Sequence, residues 1–518
     1  MDDPLRYFPH REFREGQKEL LLDLHDSLKD EDVVILSAPT GYGKTSLYIS
    51  LARMFGKSII VVPRRDLQDQ IEMKYGIFTL KGRRNYVCPL LSNGRNVTAD
   101  KGPCLLGKFQ CPIMNAICSS PGSCDDCPCR YCPYNNRKKT ALRIIRSGGV
   151  ICINPGLLNN FIDECDFLIL DEAHIVMRML MRGVKVSEKP YDIRETLISE
   201  EIRVRNEISQ LIPRIFNGEL NLLEKLSSLM RKIEAIRNLL RFDNLIYYWN
   251  DGWIIDYAPY HEEEFMRLLS DGKKLLIVSA TPPRIRCRQV KAEKHIIHPS
   301  RRPIFFCPIV KFTKKNIEEN KDLVYGSIAR TIEKISREFI SKGITKKVIV
   351  HAVSEDHCKE IAKRINLRKV VHEKGNLDEN LSEFLLGDYE IFIASSLDTG
   401  SDFSTKDIAL QFIAKVPYPD LGDPKIRKLR KIMDDFNEWY IRETIDRICQ
   451  ASGRICRGPD DFGCTIILDE KFDSLYKKHK DKFPEWFRDA LIRCQRDEIT
   501  NKVESLLCDM AQNLNRSR

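Results

Sequence analysis

A glycine-containing loop between an apolar segment and a helical pattern constrains the fold of this chain more than any other feature. The segment reads VVILSAPTGYGKTSLYIS and starts at Val33. The β-branched residues in 33–36 predict a buried strand, and the apolar spacing in KTSLYISLARMF predicts a helix. Between them, Gly41 and Gly43 permit a tight loop that approaches a ligand closely. A strand, a glycine loop and a helix in this order form a cradle for phosphate groups.

The candidate nucleotide-binding residues lie in this loop and at the start of the helix. Backbone N–H groups and the positive end of the helix would hold β- and γ-phosphates, and the side chain of Lys44 would add a positive charge. The Thr45 hydroxyl would ligate Mg²⁺. Ala38 stands where such loops usually begin with glycine. The full candidate set is Thr40, Gly41, Tyr42, Gly43, Lys44, Thr45 and Ser46.

A pair of acidic residues follows a second apolar run, in CDFLILDEAHIVMRM. Asp171 at the carboxyl end of a strand would hold Mg²⁺, and Glu172 would orient or deprotonate the attacking water. Alternatively, both carboxylates only cap the helix that follows. The phosphate loop upstream favours the catalytic interpretation, so the chain is expected to bind and hydrolyse ATP with Mg²⁺.

Together these segments resemble a superfamily 2 helicase, and further segments follow in that family's order. They are VVPRRDLQDQ at 61–70, LLIVSATPP at 275–283, SSLDTGSDF at 395–403 and QASGRICRG at 450–458. By resemblance, the first contacts nucleic acid, and Ser279 and Thr281 in the second couple the nucleotide site to the strand. The third departs from the family pattern, because Thr399 stands where relatives usually carry Glu.

The last of these segments supplies the remaining catalytic candidates, Gln450, Arg454 and Arg457. Their spacing predicts that Arg454 and Arg457 lie about one helical turn apart on the same helix face. Such a pair can stabilise negative charge on a γ-phosphate across a domain cleft, as arginine fingers do. Either arginine alone is also compatible with an ordinary surface position.

Eight cysteines are concentrated between the phosphate loop and the acidic pair. They are Cys88, Cys104, Cys111, Cys118, Cys124, Cys127, Cys129 and Cys132. In a reducing compartment, clustered thiolates are more often metal ligands than disulfides, and four of them complete an iron–sulfur or zinc site. The stretch 81–146 is also basic, with twelve Lys or Arg against three acidic residues, which would attract phosphate unless it is simply a solvated surface.

The cysteine insertion, with YCPYNNRKKTALRIIRSGG at its end and LQFIAKVPYPDLGDP at 410–424, resembles the XPD/DinG family of iron–sulfur DNA helicases. The resemblance covers nearly the whole chain. It implies a [4Fe-4S] cluster that braces a wedge at the duplex fork, with Cys88 and Cys132 as its outer ligands. For the middle ligands we favour Cys104 and Cys111. Two alternatives remain open: Cys124, Cys127 or Cys129 serves as a middle ligand, or a second metal site or redox pair forms among Cys118, Cys124, Cys127 and Cys129.

The resemblance implies an α/β fold with two RecA-like motor domains, each a parallel sheet with flanking helices. The expected domains are motor domain 1 (1–85, 140–181 and 269–300), an iron–sulfur domain (86–139), a helical arch domain (182–268) and motor domain 2 (301–518). Apolar residues spaced between Leu222 and Leu240 predict an amphipathic helix within a helical hairpin. The stretch YYWNDGWIIDYAP predicts a β-hairpin, whose aromatic residues either pack within it or stack on bases.

The expected activity is 5′-to-3′ translocation on single-stranded DNA and unwinding of forked DNA. A net charge of +10 makes a polyanionic partner plausible, and no apolar run is long enough to cross a membrane. We therefore expect a monomer in the cytoplasm, associated with the nucleoid, or in the nucleus of a eukaryote. Two alternatives remain: a DEAH-type RNA helicase with a zinc-bound insertion, and a regulatory subunit that binds nucleic acid without motor activity.

Overall fold

The computed structural model describes residues 3–39, 41–88, 98–101, 132–283, 285–292, 297–372, 377–395, 407–456 and 461–516. The chain divides into two compact units. The first comprises Met1–Ser37, Lys44–Lys291 and Leu421–Ile432, and the second comprises Ala38–Gly43, Ala292–Asp420 and Met433–Arg518. Each unit is described below by itself.

The first unit is built on a parallel sheet. Its strands, numbered along the chain, are β1 (Val33–Ser37), β2 (Ser58–Val61), β3 (Phe78–Leu80), β4 (Val150–Ile153), β5 (Phe167–Asp171), β6 (Val184–Val186), β7 (Ile246–Trp249), β8 (Trp253–Asp256), β9 (Lys274–Ser279) and β10 (Arg288–Lys291). Within the described residues, seven of them form one sheet in the order β10-β1-β9-β5-β2-β4-β3. Strands β2 and β5 are buried along their whole length, as expected where helices cover both faces of a parallel sheet.

The helices of this unit follow the apolar periodicity of the sequence. They are α1 (Gln17–Asp30), α2 (Lys44–Phe55), α3 (Arg65–Tyr75), α4 (Pro133–Arg146), α5 (Ala173–Leu180), α6 (Ile193–Phe216), α7 (Leu223–Leu239) and α8 (His261–Leu269). In α2 the run from Ser46 to Ala52 is buried, so this helix is covered on all sides. The packing of α2 thus positions Lys44, the first residue of the helix, relative to the sheet.

A helical hairpin and a small sheet interrupt the first unit between β5 and β9. Helices α6 and α7 pack through a separate apolar cluster that includes Ile208, Leu211 and Leu226. Strands β6, β8 and β7 form an antiparallel sheet, in which Trp249 pairs with Trp253 around a tight turn. Gly252 in this turn has φ +131°, a backbone conformation that residues with a side chain rarely adopt. The predicted helical hairpin and β-hairpin are thus both present.

The second unit contains another parallel sheet. Its strands are β11 (Ile304–Val310), β12 (Lys347–His351), β13 (Lys369–Val371), β14 (Ile391–Ala394), β15 (Ile408–Ile413), β16 (Cys464–Asp469) and β17 (Leu491–Arg493). In the part of the chain that is described, their order is β13-β14-β12-β15-β16-β11-β17. The buried Asp469 carboxylate accepts backbone N–H bonds from Phe312, Val416 and Lys471, and so ties together the carboxyl ends of three adjacent strands.

The remaining helices are α9 (Lys314–Ser341), α10 (Glu355–Ala362), α11 (Leu377–Leu386), α12 (Pro424–Ile432), α13 (Phe436–Ser452), α14 (Lys471–His479), α15 (Glu485–Ala490) and α16 (Ile499–Arg516). Helix α12 belongs to the first unit, although the chain on either side of it belongs to the second. The predicted domain boundaries did not include the assignment of α12 to the first unit. The predicted boundaries of the iron–sulfur and arch domains stay predictions.

The predicted fold class, α/β with two parallel sheets flanked by helices, is confirmed. Each sheet has a buried apolar core with helices packed against it. Among the helices of the described residues, none combines the length and the apolar character that a membrane span needs.

Candidate active site

The loop that follows β1 has the backbone geometry that the sequence predicts. Gly41 and Gly43 have φ of 83° and 84°, a region that side chains with a Cβ rarely adopt. Helix α2 begins directly after this loop, with Lys44 and Thr45 as its first two residues and both half-buried. The first N–H groups of a helix lack intrahelical partners and favour an anion. Thr40 lies outside the described residues.

The acidic pair lies at the same edge of the sheet as the start of α2. Strand β9 separates β1 from β5, and all three are parallel, so their carboxyl ends share one edge. Asp171 is the last residue of β5, and its charge interacts with that of Lys44. The structure therefore brings together Lys44 and the acidic pair, which are far apart in the sequence.

Asp171 is buried and accepts a hydrogen bond on each carboxylate oxygen. The Tyr48 hydroxyl donates to Oδ2 at 2.9 Å, and the Glu172 N–H donates to Oδ1 at 2.9 Å. Burial, together with the charge of Glu172, raises the pKa of Asp171 to about 6, against the opposing effect of Lys44. A divalent cation would offset both effects, and the oxygen donors of Asp171, Glu172 and Thr45 suit Mg²⁺.

Tyr48 is a member of this site that the sequence interpretation missed. It lies one helical turn after Lys44 on α2, and its side chain is fully buried. Burial raises the pKa of its hydroxyl well above the usual value, so Tyr48 stays neutral and donates to Asp171. Its spacing from Lys44 could have indicated that it faces the site, but not that it contacts Asp171.

Glu172 adopts a left-handed backbone conformation, with φ 49° and ψ 49°, at the start of α5. For a residue other than glycine this conformation costs about 1–3 kcal/mol, and it persists where the surrounding structure imposes it. Its carboxylate lies 3.7 Å from Nδ1 of His174. A strained acidic residue directly after the buried Asp171 is consistent with a catalytic role for Glu172.

His174 links the acidic pair to the LLIVSATPP segment at 275–283. Its Nδ1 lies 3.2 Å from Oγ of Ser279, the last residue of β9. Ser279 in turn exchanges two hydrogen bonds with the backbone of Thr281, at 2.9 and 3.1 Å. This chain of contacts connects β5 and β9 at the edge of the sheet where the acidic pair lies, and it agrees with the coupling role expected for Ser279 and Thr281.

Ser46 has a different environment from the other loop candidates. Its Oγ lies 2.9 Å from Nε2 of His10 and 3.3 Å from the hydroxyl of Tyr75. The hydroxyl thus connects α2 to the segment before α1 and to the end of α3. The sequence interpretation did not include His10, because an isolated histidine before a helix has no distinctive spacing.

The second unit contains the described part of the QASGRICRG segment. Gln450 lies near the end of α13, Gly453 caps that helix, and the buried Arg454 follows it. The predicted helical position of Arg454 is wrong, because α13 ends at Ser452. Arg457 and the SSLDTGSDF residues 396–403 lie outside the described residues.

Cys88 and Cys132 are both buried free cysteines in the first unit. Tyr86 lies two residues before Cys88, and Tyr134 lies two residues after Cys132. The ring centroids of these two tyrosines are 5.6 Å apart. Cys132 also directly precedes α4. The two segments are therefore adjacent, as cluster ligands require, and their soft thiol donors suit iron or zinc.

The other six cysteines of the insertion, Cys104 and Cys111 included, lie outside the described residues. Within the described ranges, no group of three or more His, Cys, Asp or Glu residues is arranged to hold a metal ion.

Two family models match the chain. The model of the type III restriction enzyme res subunit matches residues 10–193, and the helicase C-terminal domain matches residues 338–490. A solved XPD helicase covers 94% of this chain and 100% of its own, with a TM-score of 0.62 and 18% identity. Another solved structure, Xpd4 of S. tokodaii, covers 93% of this chain and 100% of its own, with a TM-score of 0.50 and 17% identity. The chain therefore resembles the solved XPD helicases in fold, and parts of it match helicase and restriction-enzyme family models.

Two curated proteins to which parts of the chain are similar are also named as helicases. A regulator of telomere elongation helicase 1 homolog of Caenorhabditis elegans is 25% identical over 31% of this chain and 16% of its own length. A probable ATP-dependent helicase of Methanocaldococcus jannaschii is 25% identical over 32% of this chain and 29% of its own. The chain thus spans less than a third of each of these relatives. The predicted XPD/DinG resemblance is confirmed.

Proposed function

We propose that this protein is an ATP-dependent DNA helicase that translocates 5′ to 3′ on single-stranded DNA and unwinds forked duplexes. The observation that carries the proposal is the position of Lys44 and the Asp171–Glu172 pair at one edge of the first sheet. The family and the XPD-like fold support nucleic acid as the partner of this ATPase. The direction of movement comes from the resemblance alone.

In the proposed reaction, the N–H groups at the start of α2 and the Lys44 ammonium bind the phosphates of ATP. Asp171 and Thr45 would hold Mg²⁺, which when bound neutralises charge on the phosphates. Glu172 orients the attacking water and accepts its proton. Gln450, Arg454 and Arg457 are proposed to stabilise the charge on the γ-phosphate, by resemblance to the family.

Cys88 and Cys132 are proposed as ligands of a [4Fe-4S] cluster, with Cys104 and Cys111 as the remaining pair. Their thiolates would complete the four sulfur ligands that such a cluster needs. The cluster would act as a structural brace beside the point where the strands separate. We further propose that the protein acts as a monomer in the compartment that holds its DNA, either the cytoplasm or the nucleus.

The test of the ATPase site uses the Glu172→Gln and Lys44→Ala variants. E172Q is expected to lose at least about 100-fold in ATP hydrolysis while still binding ATP, because only the proton acceptor is removed. K44A is expected to lose ATP affinity as well. The matched control is Glu318→Gln on the exposed surface of α9.

The rate of ATP hydrolysis of both variants is compared with that of the wild type in the presence of oligo(dT). Unwinding is measured separately on DNA and RNA forks with 5′ or 3′ tails. A wild-type protein without ATPase stimulation by single-stranded DNA would contradict the proposed function. Preference for RNA forks would favour the RNA helicase alternative.

Metal content tests the cysteine assignment. Protein purified without oxygen is expected to contain iron and sulfide and to absorb visible light, and Cys88→Ser or Cys132→Ser is expected to lose both. Cys508→Ser replaces an exposed cysteine of the second unit and serves as the control. Single replacements of Cys104, Cys111, Cys124, Cys127 and Cys129 would identify the middle ligands. Zinc in place of iron would contradict the cluster assignment.

A further inference from the structure

The β7–β8 hairpin carries a row of three aromatic side chains on one face. Tyr247 and Trp249 lie two residues apart on β7, and Trp253 is opposite Trp249 on β8, so all three point to the same side. The ring centroids of Tyr247 and Trp253 are 6.0 Å apart, and those of Trp249 and Trp253 are 5.3 Å apart. The row extends from the base of the hairpin to its tip.

The outer end of this aromatic row is open to solvent. Trp249, at the end of the row, is 57% exposed. Tyr191 is not part of the row but lies in the segment between β6 and α6, and it is 94% exposed. Packing of the hairpin accounts for Tyr247 and Trp253, which contact the core of the unit. It does not account for Trp249 and Tyr191, because rings left in water contribute little to the stability of the fold.

Two lysines lie close to rings of the row. The Lys428 ammonium on α12 lies 4.7 Å from the centroid of the Tyr247 ring. Lys189 lies 5.7 Å from the Trp253 ring and 5.9 Å from the Tyr191 ring. Exposed aromatic rings beside positive charges are an arrangement that binds single-stranded nucleic acid, since bases stack on rings and phosphates contact the cations.

An ion pair holds Lys428 beside the hairpin. Lys425, one turn earlier on α12, lies 2.8 Å from the buried Asp256 carboxylate at the end of β8. The Tyr248 hydroxyl also donates to Asp256, at 3.0 Å. The acidic residue at the hairpin tip, Asp251, lies 3.4 Å from Lys185, which reduces its repulsion of a phosphate.

We propose that this hairpin is a binding site for single-stranded DNA, with bases stacked on Trp249 and Tyr191 and phosphates held by Lys189 and Lys428. The site deepens the proposed function and rests on it, since it identifies where an unwound strand contacts the first unit. Duplex DNA is excluded as the ligand because its bases are already stacked on one another.

Tryptophan fluorescence tests the site in the full chain without nucleotide. The chain has four tryptophans, Trp249, Trp253, Trp439 and Trp486. Oligo(dT) is expected to quench the emission of the wild type, and Trp249→Phe is expected to lose most of that quenching. Trp439→Phe, in the second unit, is the matched control and is expected to retain it.

Binding of a labelled oligo(dT) gives the second readout. Trp249→Ala is expected to weaken the affinity about 5- to 150-fold, which corresponds to the loss of one stacked base. Tyr191→Ala is expected to weaken it as well, and this side chain is too exposed for the change to affect folding. ATP hydrolysis without DNA is expected to stay at the wild-type rate in both variants.

Three outcomes would overturn the inference. In the first, W249A and Y191A bind oligo(dT) like the wild type, and oligo(dT) stimulates their ATP hydrolysis to the same extent. This outcome would rule out the hairpin site and leave the proposed function intact. In the second, a blunt duplex quenches Trp249 as strongly as oligo(dT), which would indicate a different kind of contact. In the third, the wild type binds no single-stranded DNA and shows no stimulated ATPase, so the proposed function fails with it.

Discussion

The Asp171 carboxylate accepts hydrogen bonds on both of its oxygens, and one donor is the side chain of Tyr48. A buried carboxylate needs such donors, since an unpaired one would be costly in a dry environment. The hydroxyl restricts the rotation of Asp171 and so determines the direction in which its oxygens can face a ligand. Tyr48 is therefore a positioning residue.

The Tyr48→Phe variant tests this role. It is expected to lower kcat for ATP about 10-fold and to raise the Mg²⁺ concentration required, with little change in KM for ATP, because the phosphate contacts remain. Removal of the hydroxyl is also expected to lower the free energy of unfolding by about 1 kcal/mol. Steady-state kinetics over a range of Mg²⁺ concentrations separates the two effects. Tyr389→Phe, which removes an exposed hydroxyl bond to Glu383, is the control.

The buried carboxylate of Glu200 connects the two helices of the helical hairpin, α6 and α7. Glu200 on α6 is 4% exposed and accepts hydrogen bonds from Arg203 at 2.5 Å and from Lys232 on α7 at 2.6 Å. The Ser187 hydroxyl, just after β6, donates to it at 3.0 Å. Glu200 thus ties α6 to α7 and to the small sheet.

The pKa of Glu200 gives this connection a defined dependence on pH. Burial alone would raise the pKa, but the bonds from Arg203, Lys232 and Ser187 outweigh it and lower the pKa to about 2. Because the pKa is lower in the folded state, the stabilisation is present above the usual value of about 4.5 and is lost as the pH falls towards about 2. At neutral pH the contribution is complete.

Glu200→Gln is expected to lower the free energy of unfolding by about 2 kcal/mol at pH 7, and the difference from the wild type should shrink between about pH 4.5 and pH 2. Thermal unfolding followed by circular dichroism at both ends of this range measures it. Glu207→Gln, which breaks the more exposed pair with Lys225, is expected to cost only about 0.2–1 kcal/mol. A pH-independent difference for E200Q would contradict this account.

For the molecule as a whole, the excess of positive charge is expected to govern the proposed binding of DNA. The net charge is +10, and much of it comes from the basic stretch 81–146. The affinity for oligo(dT) is expected to fall with salt, and the logarithm of the affinity should decrease linearly with the logarithm of the salt concentration. The Lys189→Ala/Lys428→Ala double variant should reduce this slope by about 1.4, because two phosphate contacts on a single strand are lost.

Fluorescence anisotropy between about 50 and 200 mM salt measures the slope. Lys334→Ala, which removes a charge that pairs with Asp497 in the second unit, is the control and should leave the slope unchanged. An unchanged slope for the double variant would mean that neither lysine contacts a phosphate.

The residues predicted to bind phosphate and Mg²⁺ could be recognised because each follows a local pattern. Lys44 comes after a strand and a glycine loop, and Asp171 ends an apolar run, so alternating apolar strands and helices were enough to place both. The end of α13 could not be recognised in this way. The spacing of Arg454 and Arg457 is compatible with a helix, but α13 ends at Ser452, before Arg454.

The sequence by itself determined the helical hairpin and the strand, loop and helix of the nucleotide site, since short-range periodicity and turn residues specify them. The α/β class with two parallel sheets was implied by the resemblance of its motifs to a known family. Only the tertiary structure decided the contacts between distant segments. Tyr48 and Asp171 are 123 residues apart, and α12 packs against β7 although most of its neighbours in the chain belong to the second unit. Such pairs depend on how complete elements pack, and no local pattern encodes them.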